Sequence, residues 1–168
     1  DLGISACLKH FPGQGDADGD THDERASIDK TLEELMELEF LPFQAGIEAG
    51  VNMIMVSHLL APEVIEDNDP SSLSEEMITD VLRGQLGYDG IVITDALNMS
   101  AITDYYGADE AAIKALKAGV DMLLMPEDFE LAYQGVLDAV ADGTISEDRI
   151  DDSLARIYRV KYADTISD

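Results

Sequence analysis

Asp95 closes the run Gly90-Ile91-Val92-Ile93-Thr94-Asp95-Ala96-Leu97, so a buried, β-branched strand would deliver one carboxylate to the point where it stops. A carboxylate in that place can attack an electrophilic carbon, cap the next helix or bind a metal. Upstream, Lys9-His10-Phe11-Pro12-Gly13 follows another apolar run and leads to Asp20-Thr21-His22. Residues two apart in an extended segment point to the same side, so Asp20 and His22 would act together. A carboxylate beside an imidazole orients it, fixes its tautomer and favours its protonated form, which makes a proton donor near neutral pH. The sequence therefore holds a candidate nucleophile and a candidate acid/base. The competing reading of the second motif is a solvated acidic loop, since Asp16, Asp18, Asp23 and Glu24 crowd the same stretch.

Other chemistries fit less well. Asp16, Asp18 and Asp20 stand where a calcium loop has its first three ligands, but Thr21 replaces the required Gly and Ser27 the closing Glu. Gly13-Gln14-Gly15 lacks the Lys-Ser/Thr continuation of a phosphate loop. His10, His22 and His58 have no zinc-site spacing, and the single cysteine, Cys7, can form neither an internal disulfide nor a Cys-rich site. Cys7 is expected in the core, and neither metal nor cofactor is expected.

These residues need a scaffold that brings strand ends together. Short apolar runs at residues 4–9, 52–57, 90–94 and 121–125 lack polar alternation, as do strands buried on both faces of a parallel sheet. Helical patterns alternate with them. Thr31-Leu32-Glu33-Glu34 reads as a capping box, and Pro42 should break or restart that helix. Ser72-Leu73-Ser74-Glu75 opens the next, with Leu73, Met77, Val81 and Leu82 at helical spacing and Gly87 as its stop. A helix over 108–118 ends at Gly119, another over 128–141 ends near Gly143, and Ser146 caps a last one striped by Ile150, Leu154 and Ile157. Four parallel βα units plus a terminal helix make an α/β fold, either an open doubly wound sheet or part of a (β/α)8 barrel. In both, the carboxyl ends of the strands share one face, where active sites lie. Lys9 and His10, Ser57 and His58, Asp95 and Glu127 all fall there.

Composition narrows the partners. With 168 residues, 46% hydrophobic and 27% charged, the chain has the length and make-up of one globular domain. A net charge of −26 with only 10 Lys+Arg repels phosphate backbones, so no nucleic-acid partner is expected. No apolar run approaches the roughly 20 residues that span a bilayer. Neither a signal peptide nor an initiator Met opens the chain, which suggests a fragment and leaves the compartment open.

Taken together, Lys9-His10-Phe11-Pro12-Gly13-Gln14-Gly15, Asp20-Thr21-His22 and Ile93-Thr94-Asp95-Ala96-Leu97 resemble glycoside hydrolase family 3, in its β-N-acetylglucosaminidase (β-N-acetylhexosaminidase) branch. Leu41-Pro42-Phe43 and Gly119-Val120-Asp121 fit as well, whereas Gln14 stands where the family usually has His. The resemblance implies a retaining glycosidase acting on terminal β-linked N-acetylglucosamine of murein- or chitin-derived saccharides. It implies Asp95 as catalytic nucleophile, His22 paired with Asp20 as acid/base, and Lys9 and His10 binding sugar hydroxyls. Met99 would form part of the pocket wall. Phosphorolysis is an implied variant.

The family's catalytic domain is a (β/α)8-type barrel, which takes about 250 residues. Residues 1–168 would then be a single partial domain, the C-terminal half of that barrel, with little activity alone. The alternative is a non-catalytic half-barrel that binds carbohydrate or self-associates as a homodimer through its two exposed sheet edges. An NAD- or phosphate-binding doubly wound domain is weaker, because no glycine fingerprint follows a strand in the required way.

Overall fold

A computed structural model describes residues 4–15, 17 and 25–163. Four strands, β1 (Cys7–Phe11), β2 (Met53–Val56), β3 (Ile91–Ala96) and β4 (Met122–Leu124), form one parallel sheet in the order β1-β2-β3-β4. Helices connect them: α1 (Leu32–Glu37) and α2 (Leu41–Glu48), a 3₁₀ turn at Ser71–Leu73 and a π-helix at Glu76–Gln85, then α3 (Ser100–Thr103) and α4 (Ala108–Ala118). After β4 come α5 (Phe129–Ala141) and α6 (Glu147–Lys161). The fold is α/β with four parallel βα units and a terminal helix, as the alternating apolar runs require. Among the described residues no helix is long and apolar enough to cross a membrane.

The local signals act where the sequence places them. Thr31 and Glu34 close the capping box by reciprocal hydrogen bonds. Pro42 lies in the first turn of α2, where its missing N–H leaves no gap. Asp128 and Ser146 cap α5 and α6 through their side chains.

Several boundaries differ from expectation. Strand β1 starts at Cys7, level with Met53, where its partner β2 begins. It runs on to Phe11, so Lys9 and His10 lie inside the strand. Strand β3 reaches Ala96, which puts Asp95 within the strand's last residues rather than after them. The second connection, from β2 to β3, does not open as a regular helix at Ser72. Ser74 instead accepts the Met77 N–H at 3.2 Å, and the Ser72 side chain is engaged elsewhere.

The two faces of the sheet are unlike. Ile54, Val56, Val92 and Thr94 are wholly buried under the helices, and Phe11 packs there between Phe40 and Phe43. Alternation puts Met53, Met55, Ile93 and Met122 on the opposite face, where each is only partly buried. Asp95 follows Ile93 by two residues and shares that face. Cys7 pairs with Met53 and lies there too, so it is exposed, not the core residue its apolar neighbours suggested. Leu154 of the terminal stripe is likewise 37% exposed.

Gly119 ends α4 at φ +113, and a Cβ there would meet Thr79 Oγ1 at 2.7 Å, the same hydroxyl that donates to the Ala118 carbonyl. Gly119→Ala should destabilise the fold by about 2 kcal/mol, seen as a lower urea midpoint at an unchanged slope.

Candidate active site

Asp95 is held at one oxygen and faces an imidazole at the other. Its Oδ1 accepts the Ala96 N–H at 2.8 Å, and Oδ2 stands 3.6 Å from His10 Nε2. The side chains are 15% and 25% exposed, so both reach solvent from within the sheet. His10 gets there because the β1–β2 register shifts between Leu8 and Phe11. Lys9 is exposed beside it, and both line a cleft of about 570 Å³ with Gly13, Gln14, Gly15 and the start of α2. An imidazole next to a carboxylate can hold a hydroxyl group and bring an electrophilic carbon against Asp95.

The strand ends that carry these groups are tied to one another. The Ser57 hydroxyl donates to the Phe11 carbonyl at 3.2 Å, joining the end of β2 to that of β1. His58 reaches the Ala96 carbonyl at 2.9 Å, joining β2 to β3. Leu124 N–H donates to Thr94 Oγ1, and Leu97 N–H to the Leu124 carbonyl, joining β3 to β4. Each of these links uses a residue just beyond or at the end of its strand, which is why the polar residues clustered there in the sequence.

Of the residues expected to act, the fold brings His10 and Asp95 together, and Lys9 lines a cleft with His10 that does not include Asp95. Asp20 and His22 lie outside the described residues. Met99 precedes α3 and is 8% exposed, which leaves little of its side chain open.

Arg25 is three residues beyond His22, and sequence reasoning gave it no role. Its guanidinium lies 3.5 Å over the Tyr105 ring and donates to Tyr106 Oη and to the Asn68 carbonyl. Tyr106 in turn donates to Asp69, which also accepts from Lys114. Burial and the Asp69 contact push the Tyr106 hydroxyl up to about 12, so it remains a donor. Arg25 thus anchors the chain that leaves the Asp20–His22 motif. The usable signal was one cation in a run of acids with an adjacent Tyr pair far along the chain, a long-range contact that spacing does not reveal.

The glycosyl hydrolase family 3 N-terminal domain matches residues 1–160. A family 3 β-N-acetylglucosaminidase from Paenibacillus sp. str. FPU-7 superimposes with a TM-score of 0.92 at 42% identity, over 95% of this chain and 31% of that one. β-Hexosaminidase A of Pseudoalteromonas piscicida is 32% identical over 95% of this chain and 30% of its own length. The β-hexosaminidase of Stenotrophomonas maltophilia (strain K279a) is 38% identical over 80% of this chain and 40% of its own. The chain thus spans between 30% and 40% of the length of these curated relatives. A family match that runs through nearly the whole chain means that this chain belongs to glycosyl hydrolase family 3, within its N-terminal domain.

Proposed function

We propose that this chain is the nucleophile-bearing C-terminal half of the barrel of a retaining β-N-acetylglucosaminidase, acting on terminal β-linked N-acetylglucosamine of murein- or chitin-derived saccharides. The observation that carries this reading is Asp95 at the end of β3, with Oδ1 fixed by the Ala96 N–H and Oδ2 toward His10. The names of the relatives support the sugar class. The partly exposed Met53, Met55, Ile93 and Met122 support a sheet completed by further strands.

In the first step, Asp95 attacks the anomeric carbon, the glycosidic C–O bond breaks, and His22 gives its proton to the leaving oxygen. In the second, water attacks the same carbon, His22 takes the water's proton, and the Asp95 ester bond breaks. Asp20 orients the imidazole in both steps and stabilises its charged form. Lys9 and His10 hold ring hydroxyls, and Met99 closes the pocket wall. Two displacements at one carbon return the original configuration.

Proton NMR of the first-formed sugar tests the scheme. The β anomer is expected, and the α anomer would overturn it. Adding inorganic phosphate separates hydrolysis from phosphorolysis, since only the latter yields a sugar 1-phosphate. His22→Ala should lower kcat/KM by about 10³-fold for a poor leaving group but by less than about tenfold for a dinitrophenyl glycoside, which needs no proton. Equal losses on both substrates would remove His22 from the acid role.

A further inference from the structure

His58 is the buried imidazole that the proposed reaction does not use. It is 0% exposed and immediately follows Ser57 at the end of β2. The Ala96 carbonyl can only accept, so His58 Nε2 carries the proton and donates to it at 2.9 Å. Nδ1 is then the acceptor, and Ser72 Oγ donates to it at 2.7 Å. Ser72 is itself buried and fixed, because its N–H donates to the Ser57 carbonyl while the neighbouring Ser71 donates from both N–H and hydroxyl to the Leu59 carbonyl. Burial holds the imidazole below its ordinary pKa, so it stays neutral and keeps this tautomer.

The target of this bond is the residue on which Asp95 rests. The peptide joining Ala96 to Leu97 is gripped from both sides, by His58 at the carbonyl and by the Leu124 carbonyl at the Leu97 N–H. Ala96 N–H, one rotation away, donates to Asp95 Oδ1. The Ala96 carbonyl has one other donor, the Met99 N–H at 3.1 Å, which belongs to the turn into α3 and moves with it. Among the described residues, only His58 ties this carbonyl to a different strand. We propose that His58 is a positioning residue: by clamping the Ala96 carbonyl to the end of β2, it fixes the backbone N–H that aims the Asp95 carboxylate at the anomeric carbon. The inference rests on Asp95 being the nucleophile.

A histidine that only fills the core would be replaceable by an apolar residue with a loss of stability alone. A positioning residue must affect the reaction step, and a side chain that restores the donor must restore that step. In the full-length enzyme, His58→Leu keeps bulk and removes the donor, while Gln in His58→Gln places an amide N–H close to where Nε2 lies. For His58→Leu we expect kcat on an aryl N-acetyl-β-glucosaminide to fall by about 30-fold, with KM within about threefold, as misplaced reacting groups act on the reaction step. Hydrogen exchange over residues 94–98 should accelerate by about tenfold, and His58→Gln should recover most of both losses. Equal kcat in the two variants, or unchanged exchange in His58→Leu, overturns the clamp.

Should His58→Leu fail to fold, Ser72→Ala decides, because it removes only the hydroxyl that sets the tautomer. It should lower kcat by about fivefold, and wild-type turnover in it overturns the proposal. Asp95→Ala run in parallel separates the two readings. Full turnover there removes the nucleophile assignment and the role of His58 with it. An inactive Asp95→Ala beside an unaffected His58→Leu removes the clamp alone.

Discussion

Asp95→Ala is expected to lower hydrolysis of an aryl N-acetyl-β-glucosaminide by the full-length enzyme about 10⁵-fold, or about 7 kcal/mol of transition-state stabilisation. Loss of a nucleophile removes the covalent route itself, so kcat and kcat/KM should fall together while the sugar still binds through Lys9 and His10. The carboxylate leaves a space at the end of β3 beside His10, large enough for a small anion. Azide should enter it and attack the anomeric carbon of an activated glycoside from the side Asp95 occupied. One displacement inverts, so the product should be the α-glycosyl azide. That product and its configuration, identified by NMR, distinguish a lost nucleophile from a lost fold. Turnover within tenfold of wild type, or a β-glycosyl azide, would remove Asp95 from the role. The Asp95→Asn variant is the control for shape: it preserves the acceptor for the Ala96 N–H and should be as inactive, because an amide oxygen is a poor nucleophile.

The reach of sequence reasoning followed the range of the interactions. Elements fixed by near neighbours were legible: the Thr31–Glu34 box, the αL stop at Gly119 and the Ser146 cap each depend on residues within one turn. The four strands were legible because burial on both sides leaves an uninterrupted apolar run. Their ends were less so, since pairing is decided by the neighbour. Cys7 shows the limit most clearly. Its apolar context suggested the core, yet strand alternation sets it on the face the helices leave uncovered. In the site, Asp95 could be singled out as the carboxylate at a strand end. Its contact with His10 depends on a register shift in β1, and the His58–Ala96 bond joins residues 38 apart. Neither has a local signature. Serine before a helical pattern usually opens the helix, but the Ser72 hydroxyl serves His58 instead.

At the opposite end of the strands, Asp121→Ala should be the most damaging single change to stability discussed here, at about 3–5 kcal/mol. The Asp121 carboxylate is 0% exposed and accepts four hydrogen bonds. Oδ2 takes the Arg83 guanidinium at 2.8 Å and the Val92 N–H at 2.9 Å, and Oδ1 takes Ser153 Oγ at 2.7 Å and Arg156 at 3.1 Å. Arg149 stands 3.8 Å away, and its other N–H groups donate to the Leu116 and Val120 carbonyls. One carboxylate therefore joins β3, β4, α6 and the end of the π-helix. Burial above all, with the neighbouring arginines, holds the Arg83 and Arg149 guanidiniums below their ordinary pKa, and Asp121 is the main opposing influence. Truncation leaves three arginines facing one another without their shared carboxylate, Arg156 keeping only the exposed Asp89 at 3.4 Å, and the buried Val92 N–H loses its acceptor. For a domain of this size the loss should appear as a melting point lower by roughly 10–15 °C. Salt should not restore it, because screening acts weakly on pairs withdrawn from solvent. Asp121→Asn separates charge from shape: it keeps one acceptor but turns an N–H group toward the arginines, so its loss should approach that of alanine. A melting point within about 3 °C of wild type in both variants would mean that the arginines find other acceptors, and that the joint at this end of the sheet lies in the apolar packing instead.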